Sequence, residues 1–361
     1  MRLFVLCAVL AVLAVPARAD VPSTATLRGV DVYRSETVTP AVAVRLLGPK
    51  LALYVTHSNE GGAALKLAEQ LKGELESEMI RLGDFAYVGM NVGLTVRASV
   101  YDIVITFDVV DSKDAAERMP FVPRPAGRLP DPGGLLGQWR VYWDLCAAAR
   151  RQGEPVVERP ACPAFYCPWV QSTDRIKELE DLFAREVPGY EADLVRVLAE
   201  QADARDRAAA VYLLAFSTSG PAVAQLMLGA TADPDGEVRA AALSVLADIA
   251  VYCKDVFIDG RRLLPVLDFP ATQDRSKALA VFAGLAANPR YKAYISSRVA
   301  TRLVRLLYAL DPNVNDLALT VLSMVSGRSY PSWDVDSWEQ WAQEKAAQDP
   351  ENAGTSAGEQ R

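Results

Sequence analysis

The sequence predicts a mixed fold, in which an N-terminal α+β domain over residues 20–118 is followed by an α-solenoid of paired helices over residues 173–348. Three observations predict it. The 361 residues are 51% hydrophobic and 23% charged, so the chain can bury substantial cores. Strand and helix patterns alternate before residue 119, and one helical segment recurs four times after residue 173.

The first nineteen residues have the pattern of a secretory signal. An apolar run over residues 3–15 follows Met-Arg, and Ala-Arg-Ala at residues 17–19 supplies a cleavage site. This run is shorter than the roughly 20 residues that a membrane-spanning helix needs, and no other segment is apolar over that length. We therefore expect a secreted or periplasmic protein whose mature chain begins at Asp20 and has no membrane span.

Residues 20–118 show strand and helix signals in the order β-α-α-β-β. The first apolar run changes phase at Gly29, Thr39 and Pro40 supply a helix cap and a first-turn proline, and Gly83 ends the second helix. The predicted elements are a strand over 25–33, a helix from 40, a helix over 65–82, and strands over 85–88 and 100–110. Together they predict one small α+β domain.

That element order, with the segments Arg81–Val88 and Ile105–Asp111, resembles a POTRA-type module. Such modules are small exported α+β domains that recruit other chains by strand addition or surface docking, so the resemblance implies a docking role for about a quarter of the chain. The chain departs from the family in an insertion around Lys50 to Gly62. An unrelated α+β sandwich is the alternative interpretation.

Residues 119–172 are predicted to be a proline-rich connector with one helix. Nine prolines lie between residues 120 and 168, and Asp131-Pro132 can open a helix in their midst. That helix carries an aromatic face that includes Trp139 and Trp143. Apolar stripes at helical spacing are more often core than ligand sites, so we expect this face to pack on a neighbouring domain, with a ligand site as the alternative.

Cys162 and Cys167 are predicted to form a disulfide. They lie in a segment too rich in proline for a helix, and thiols tend to pair in an exported protein. A covalent staple would hold a loop that has little core of its own. A zinc site would need further ligands and finds only Cys146 and Cys253, and two unrelated buried thiols are the remaining alternative.

Four nine-residue segments in the helical region align without gaps. They begin at Arg207, Arg239, Arg275 and Asn315, at intervals of 32, 36 and 40 residues, which is the period of a helix-pair solenoid. Each has an alanine where a neighbouring helix must approach closely, at Ala210, Ala242, Ala278 and Ala318. Larger apolar residues beside them are expected to fill the seam between successive pairs.

The unit over Asp233–Ala250 resembles a HEAT repeat of the type also found in phycobilin-lyase-like proteins. Its Asp233-Pro234 turn caps a helix, and Val238-Arg239 stand where that repeat usually has Val-Arg. The resemblance covers nearly half of the chain and implies a curved surface of stacked helices. Trp338 and Trp341 are expected to close the end of the stack, and residues 349–361 to be a flexible tail.

The sequence shows no catalytic motif. It has no Gly-x-Ser-x-Gly elbow and no phosphate-binding Gly-Lys-Ser/Thr loop. The single histidine, His57, falls in a predicted loop, where a solvated residue is a better interpretation than a general base. A net charge of −7 gives no electrostatic support for binding nucleic acid, and we expect neither a metal nor another cofactor.

One helical segment around Ser296 to Tyr308 carries a basic stripe. Arg298, Arg302 and Arg305 follow one another at i, i+4 and i+7 on what would be the second helix of its pair. In an acidic protein such a stripe could bind an acidic peptide or an anionic surface, although a solvated basic face is the alternative. We name these three arginines as candidate binding residues.

The sequence thus predicts a protein-interaction scaffold or adaptor of the periplasm or cell envelope, and not an enzyme. Stacked helix pairs bind other macromolecules through contact area, without reactive side chains. Its partners would be other proteins, among them acidic peptides or envelope components. Two alternatives are an enzyme with a cleft at the domain junction, involving His57 or the aromatic helix at Trp139 and Trp143, and a purely structural envelope component.

Overall fold

The computed structural model describes residues 25–97, 100–153, 156, 159 and 161–348. It is largely helical and carries a three-stranded sheet near its beginning. The predicted signal over residues 1–19 and the predicted tail over residues 349–361 lie outside the described residues. Within those residues, no helix combines the length and the apolar character that crossing a bilayer requires.

The sheet is built from β1 (Ala25–Tyr33), β2 (Phe85–Arg97) and β3 (Val100–Asp111). β3 is the central strand, parallel to β1 and antiparallel to β2. The β1 register shifts between Leu27 and Gly29, which confirms the phase change predicted there. β2 extends nine residues past its predicted end because it pairs with β3 along its whole length.

Two helices cover one face of this sheet. α1 (Pro40–Glu60) begins after Thr39, whose hydroxyl accepts the Val42 N–H, and α2 is Ala64–Met79. A 3₁₀ turn over Ile80–Leu82 follows before the chain enters β2. The apolar residues that form the core between the helices and the sheet all come from the segment 25–109. Leu51, Leu75 and Phe107 are among them. The predicted order β-α-α-β-β is therefore confirmed.

His57 corrects one expectation, because it lies in α1 and not in a loop. The sequence between Lys50 and Gly62, which departs from the POTRA pattern, is mostly the last three turns of this helix. Leu51, Tyr54 and Val55 of this helix are buried at helical spacing. Their burial stabilises the part of the helix that follows Pro49.

The other face of the sheet is polar and also buried. Asp102, Thr106 and Asp108 alternate on β3 and are 7%, 2% and 3% exposed. Asp108 accepts hydrogen bonds from the main-chain N–H and the hydroxyl of Thr272, which begins a later helix. On β2, Asn91 donates to the Asp311 carboxylate at 2.7 Å. Polar strand residues thus bind the beginnings of later helices.

The remaining helices are given in chain order. They are α3 (Ala115–Arg118), α4 (Leu135–Gln152), α5 (Asp174–Glu200), α6 (Ala204–Leu214), α7 (Gly220–Ala230), α8 (Gly236–Tyr252), α9 (Gly260–Leu263), α10 (Thr272–Ala286), α11 (Pro289–Tyr294), α12 (Ala300–Leu306), α13 (Pro312–Ser326) and α14 (Val335–Ala347). A 3₁₀ turn over Leu264–Asp268 precedes α10, and a π-helical turn over Ile295–Val299 joins α11 to α12.

The described residues group into two compact units. The first unit consists of residues 121–266 and 280–288, and the second of residues 25–120, 267–279 and 289–348. The second unit therefore joins the α+β segment to residues that the prediction assigns to the helical repeats. The hydrogen bonds that join Thr272 to Asp108 and Asn91 to Asp311 lie within this second unit and account for part of that grouping.

Candidate functional site

Two of the three arginines of the predicted basic stripe converge on one carboxylate. Asp268 ends the 3₁₀ turn before α10, and its Oδ2 accepts a hydrogen bond from Arg302 Nε at 2.8 Å. Its Oδ1 lies 3.5 Å from Arg305 Nη2. Arg298 lies on the π-helical turn, which has more residues per turn than the α-helix that the predicted i, i+4, i+7 spacing assumes.

A third arginine, Arg34, joins them from the end of β1. Its Nη1 donates to Asp268 Oδ1 at 2.7 Å, across 234 residues of sequence. We call Arg34, Asp268, Arg302 and Arg305 the Asp268 cluster. All four belong to the second unit. Three guanidinium groups against one carboxylate leave the cluster with an excess of two positive charges.

Arg34 is held in an unusual backbone conformation. Its φ is +57°, in the left-handed region that residues with a side chain seldom adopt. Asp111 fixes the following turn by accepting hydrogen bonds from the Ser35 hydroxyl and the Glu36 N–H, both at 3.1 Å. No sequence motif marks this residue, and sequence reasoning missed it.

Two buried arginines lie behind the cluster. Arg118 is 1% exposed and donates to the main-chain oxygens of Asp268 and Val109, but its Nη2 has no hydrogen-bond acceptor. Burial lowers the pKa of Arg118, and the nearby Arg34 charge lowers it further. Arg275 binds Asp108 at 2.7 Å and lies over the Tyr33 ring, 3.6 Å from its centroid. Asp31, Asp108 and Asp311 interact with the Arg275 charge, so this buried region contains carboxylates as well as guanidinium groups.

The guanidinium groups of the cluster remain open to solvent. The side chains of Arg34, Arg302 and Arg305 are 33%, 36% and 52% exposed, whereas Asp268 is 14% exposed. A guanidinium has five N–H donors, and Asp268 engages only a part of them. The arrangement can thus accept a further anionic group by charge-assisted hydrogen bonds.

The four repeated segments share a second set of contacts. The first side chain of each donates to main-chain oxygens of the preceding loop, five to eight residues upstream. The pairs are Arg207 with Gln201 and Ala202, Arg239 with Asp233, Arg275 with Phe269 and Pro270, and Asn315 with Leu307 and Ala309. The asparagine in the last segment keeps this bond with a neutral amide, so the substitution preserves the contact while removing the charge.

The loop that carries the predicted disulfide packs in the first unit. The Cys162 and Cys167 sulfurs are at bonding distance, with Cα atoms 5.8 Å apart, as the sequence predicts. Between them, the Phe165 N–H donates to the Ala215 oxygen at 2.9 Å. Cys146 and Cys253 are free thiols, and burial raises the pKa of Cys146 to about 11. Such a pKa disfavours thiolate chemistry there.

A buried carboxyl lies close to this loop. Asp248 on α8 is 3% exposed, and its Oδ2 lies 3.7 Å from Arg159 Nη2 with no hydrogen-bond partner. Burial raises the pKa of Asp248 to about 7. The Arg159 guanidinium lies over the Tyr252 ring, 4.2 Å from its centroid. Asp248 can therefore change charge near neutral pH.

The residues invoked for the enzymatic alternative have ordinary surroundings. His57 Nδ1 lies 3.0 Å from Glu60 Oε2 on the same helix. Trp139 is 4% exposed and stacks on Tyr212 with ring centroids 5.1 Å apart, and Trp143 stacks on the same ring. The aromatic face of α4 thus packs within the first unit, as expected of a core.

No set of three or more His, Cys, Asp or Glu side chains in the described ranges could hold a metal ion. No family model, curated protein or solved structure matches this chain.

Proposed function

We propose that this protein is a noncovalent adaptor or scaffold of the periplasm or cell envelope, which binds other proteins through the surface of HEAT-like helix pairs over residues 173–348. The N-terminal segment would be a POTRA-type docking module, a proposal supported by its β-α-α-β-β order. A function of this kind needs contact area and no reactive group.

The equivalent anchoring of the four repeated segments carries this proposal. Each segment begins with a side chain bonded to the loop before it, and Asp203, Asp235 and Asp311 cap three of the four helices. The alanines that the repeat requires to be small, Ala210, Ala242, Ala278 and Ala318, are each 0% exposed. Shared contacts at shared positions are what a repeat architecture predicts.

The seam positions agree with this interpretation. Seven of the eight larger residues predicted to lie between helix pairs are 0% exposed, namely Val211, Leu214, Leu243, Leu246, Leu279, Phe282 and Leu322. Leu319, in the last segment, is only half-buried. A terminal unit that has a neighbour on one side only would leave such a position open.

Export is proposed on two grounds. The signal pattern at the N-terminus predicts it, and the Cys162–Cys167 disulfide belongs to an oxidising compartment.

Site-specific photo-crosslinking tests the binding surface. A photoreactive amino acid replaces exposed Ala222 on α7, which is the second helix of its pair, and in a matched control replaces exposed Ala52 on α1. We expect the Ala222 variant to crosslink to a discrete partner in envelope extracts more strongly than the Ala52 variant. Crosslinks that arise only from Ala52 would contradict a binding surface on the helix pairs.

A further inference from the structure

We propose that the Asp268 cluster binds an acidic side chain of a partner peptide, with Arg34, Arg302 and Arg305 as the recognising groups. This inference rests on the proposed function, since it names the chemistry of the partner. It also departs from the predicted stripe along one helix, because the recognising groups come from β1 and α12 and meet only in the folded second unit.

The charge around Asp268 is locally positive. The chain as a whole has a net charge of −7, yet three guanidinium groups meet a single carboxylate in the Asp268 cluster. Arg275, behind them, is balanced by Asp108. Arg118 donates to main-chain oxygens, lies over the Tyr33 ring and interacts with the Asp108 charge. The local excess of positive charge therefore comes from the three exposed guanidinium groups.

The three arginines also have hydrogen-bond donors that Asp268 does not engage. Arg302 reaches Asp268 through Nε, and Arg34 reaches it through a single terminal nitrogen. Arg305 is the most exposed of the three and has the longest contact with Asp268, 3.5 Å. Each guanidinium thus keeps N–H donors that Asp268 does not engage, and these donors can form charge-assisted hydrogen bonds to a carboxylate.

The number of exposed basic residues favours a peptide ligand over a membrane surface. Electrostatic docking to an anionic lipid surface generally takes a cluster of about four to eight basic residues next to the bilayer. The Asp268 cluster has three exposed arginines around one acid on a protein of net negative charge. It matches one or two carboxylates better than an extended anionic sheet, which the remainder of the molecule would repel.

Asp268 itself gives the site a distinctive signature. Because its carboxylate neutralises part of the positive charge of the three arginines, it competes with an incoming acid. Removing its charge by Asp268→Asn should therefore strengthen ligand binding, whereas removing an arginine should weaken it. A merely structural cluster would show no such opposite response.

The test measures binding of a fluorescent hexaglutamate peptide to the full chain by anisotropy. We expect Arg305→Gln to weaken binding about fivefold, the effect of losing one exposed charge pair, and Asp268→Asn to strengthen it. Arg175→Gln is the matched control, because Arg175 is also exposed and paired, at 58%, but lies on α5. It should bind like the parent.

Several outcomes would overturn the inference. If the parent, Arg305→Gln and Arg175→Gln bind hexaglutamate with equal affinity, the cluster does not bind the peptide. Displacement of the peptide by an equal concentration of inorganic phosphate would make the ligand a small oxyanion, and binding to phosphatidylglycerol vesicles without peptide binding would make it a membrane. Thermal melts of each variant show whether it is folded. If Asp268→Asn destabilises the fold, the Arg305→Gln variant still tests the inference, because Arg305 is exposed and its replacement should leave the fold intact.

The photo-crosslinking experiment is independent of the cluster. If Ala222 crosslinks persist while hexaglutamate binding fails, the adaptor role stands and the acidic-peptide site falls. If the peptide binds as expected while Ala222 gives no crosslink, the acidic-peptide site stands and the binding surface on the helix pairs falls.

Discussion

Asp248 is a single buried residue whose charge state depends on pH. Desolvation is the main cause of its raised pKa, and the Arg159 charge opposes it only in part. In the unfolded chain the carboxyl titrates near 3.8, and in the folded chain at about 7. Between these values the folded protein holds a proton that the unfolded chain has lost.

We predict that Asp248 lowers stability as pH rises from about 4 to about 7. Its favourable contribution is complete below the unfolded pKa and is lost as pH passes the folded pKa. Asp248→Asn, which stays neutral, should be more stable than the parent at pH 8 by on the order of 2–4 kcal/mol, with little difference at pH 4. Urea unfolding at several pH values measures this. Parallel pH profiles for parent and variant would contradict it.

Arg275 shows how much one buried pair matters. It is 1% exposed, binds Asp108 at 2.7 Å, and also donates to the loop before α10. We predict that Arg275→Met costs about 3–5 kcal/mol, because the Asp108 charge stays buried without its partner. Arg261→Met is the control, since Arg261 pairs with Asp259 at 77% exposure and should change stability little. Chemical denaturation compares the two, and equal losses would refute the assignment.

At the scale of single elements, three of the four repeated helices begin in the same way. Aspartates cap α6, α8 and α13 from their own sequence, whereas Ala271 stands at the matching position before α10. Asp108 of β3 supplies the missing carboxylate by accepting the Thr272 N–H at 2.9 Å. The start of this repeated helix is thus capped by a side chain of the sheet and not by the residue that precedes the helix.

Close approach of α10 to α8 gives an element-scale prediction. A Cβ added to Gly284 would lie 2.8 Å from the Ala250 Cβ. We predict that Gly284→Ala destabilises by about 1–3 kcal/mol through overpacking. Gly73→Ala on α2 meets nothing within 4 Å and should stabilise by about 0.5–1 kcal/mol from helix propensity. Urea midpoints measure both, and shifts of the same sign would disprove the close packing.

At the scale of the whole molecule, the sheet has two different buried faces. The apolar face packs on α1 and α2 and draws its core from residues 25–109 alone. The polar face instead reaches Thr272 and Asp311 in the second unit. Only the apolar face supplies a self-contained core.

We therefore predict that the isolated fragment 20–118 folds cooperatively, because its core is complete and its polar face tolerates water. It should be less stable than the same region in the full chain, since it loses the Arg275 and Thr272 contacts of Asp108. Circular dichroism during thermal unfolding tests this, with Leu75→Asp as a fragment that should not fold. A gradual, noncooperative melt of the parent fragment would rule out an independent domain.

The sequence alone was sufficient for the features that depend on neighbours a few residues apart. The β1 phase shift at Gly29, the Thr39 cap of α1 and the Cys162–Cys167 pair are encoded in short stretches, because caps, periodicity and close thiols are local. The repeated segments were visible for the same reason, since each presents one periodic pattern.

Only the tertiary structure decided which charges meet. Arg34 and Asp268 are 234 residues apart, and Arg275 and Asp108 are 167 apart, so no local pattern could pair them. The predicted basic stripe contains Arg302 and Arg305, which meet Asp268, but it does not include Arg34 or Asp268 itself. An ion pair depends on distance and burial in space, and the chain sets those only when it folds.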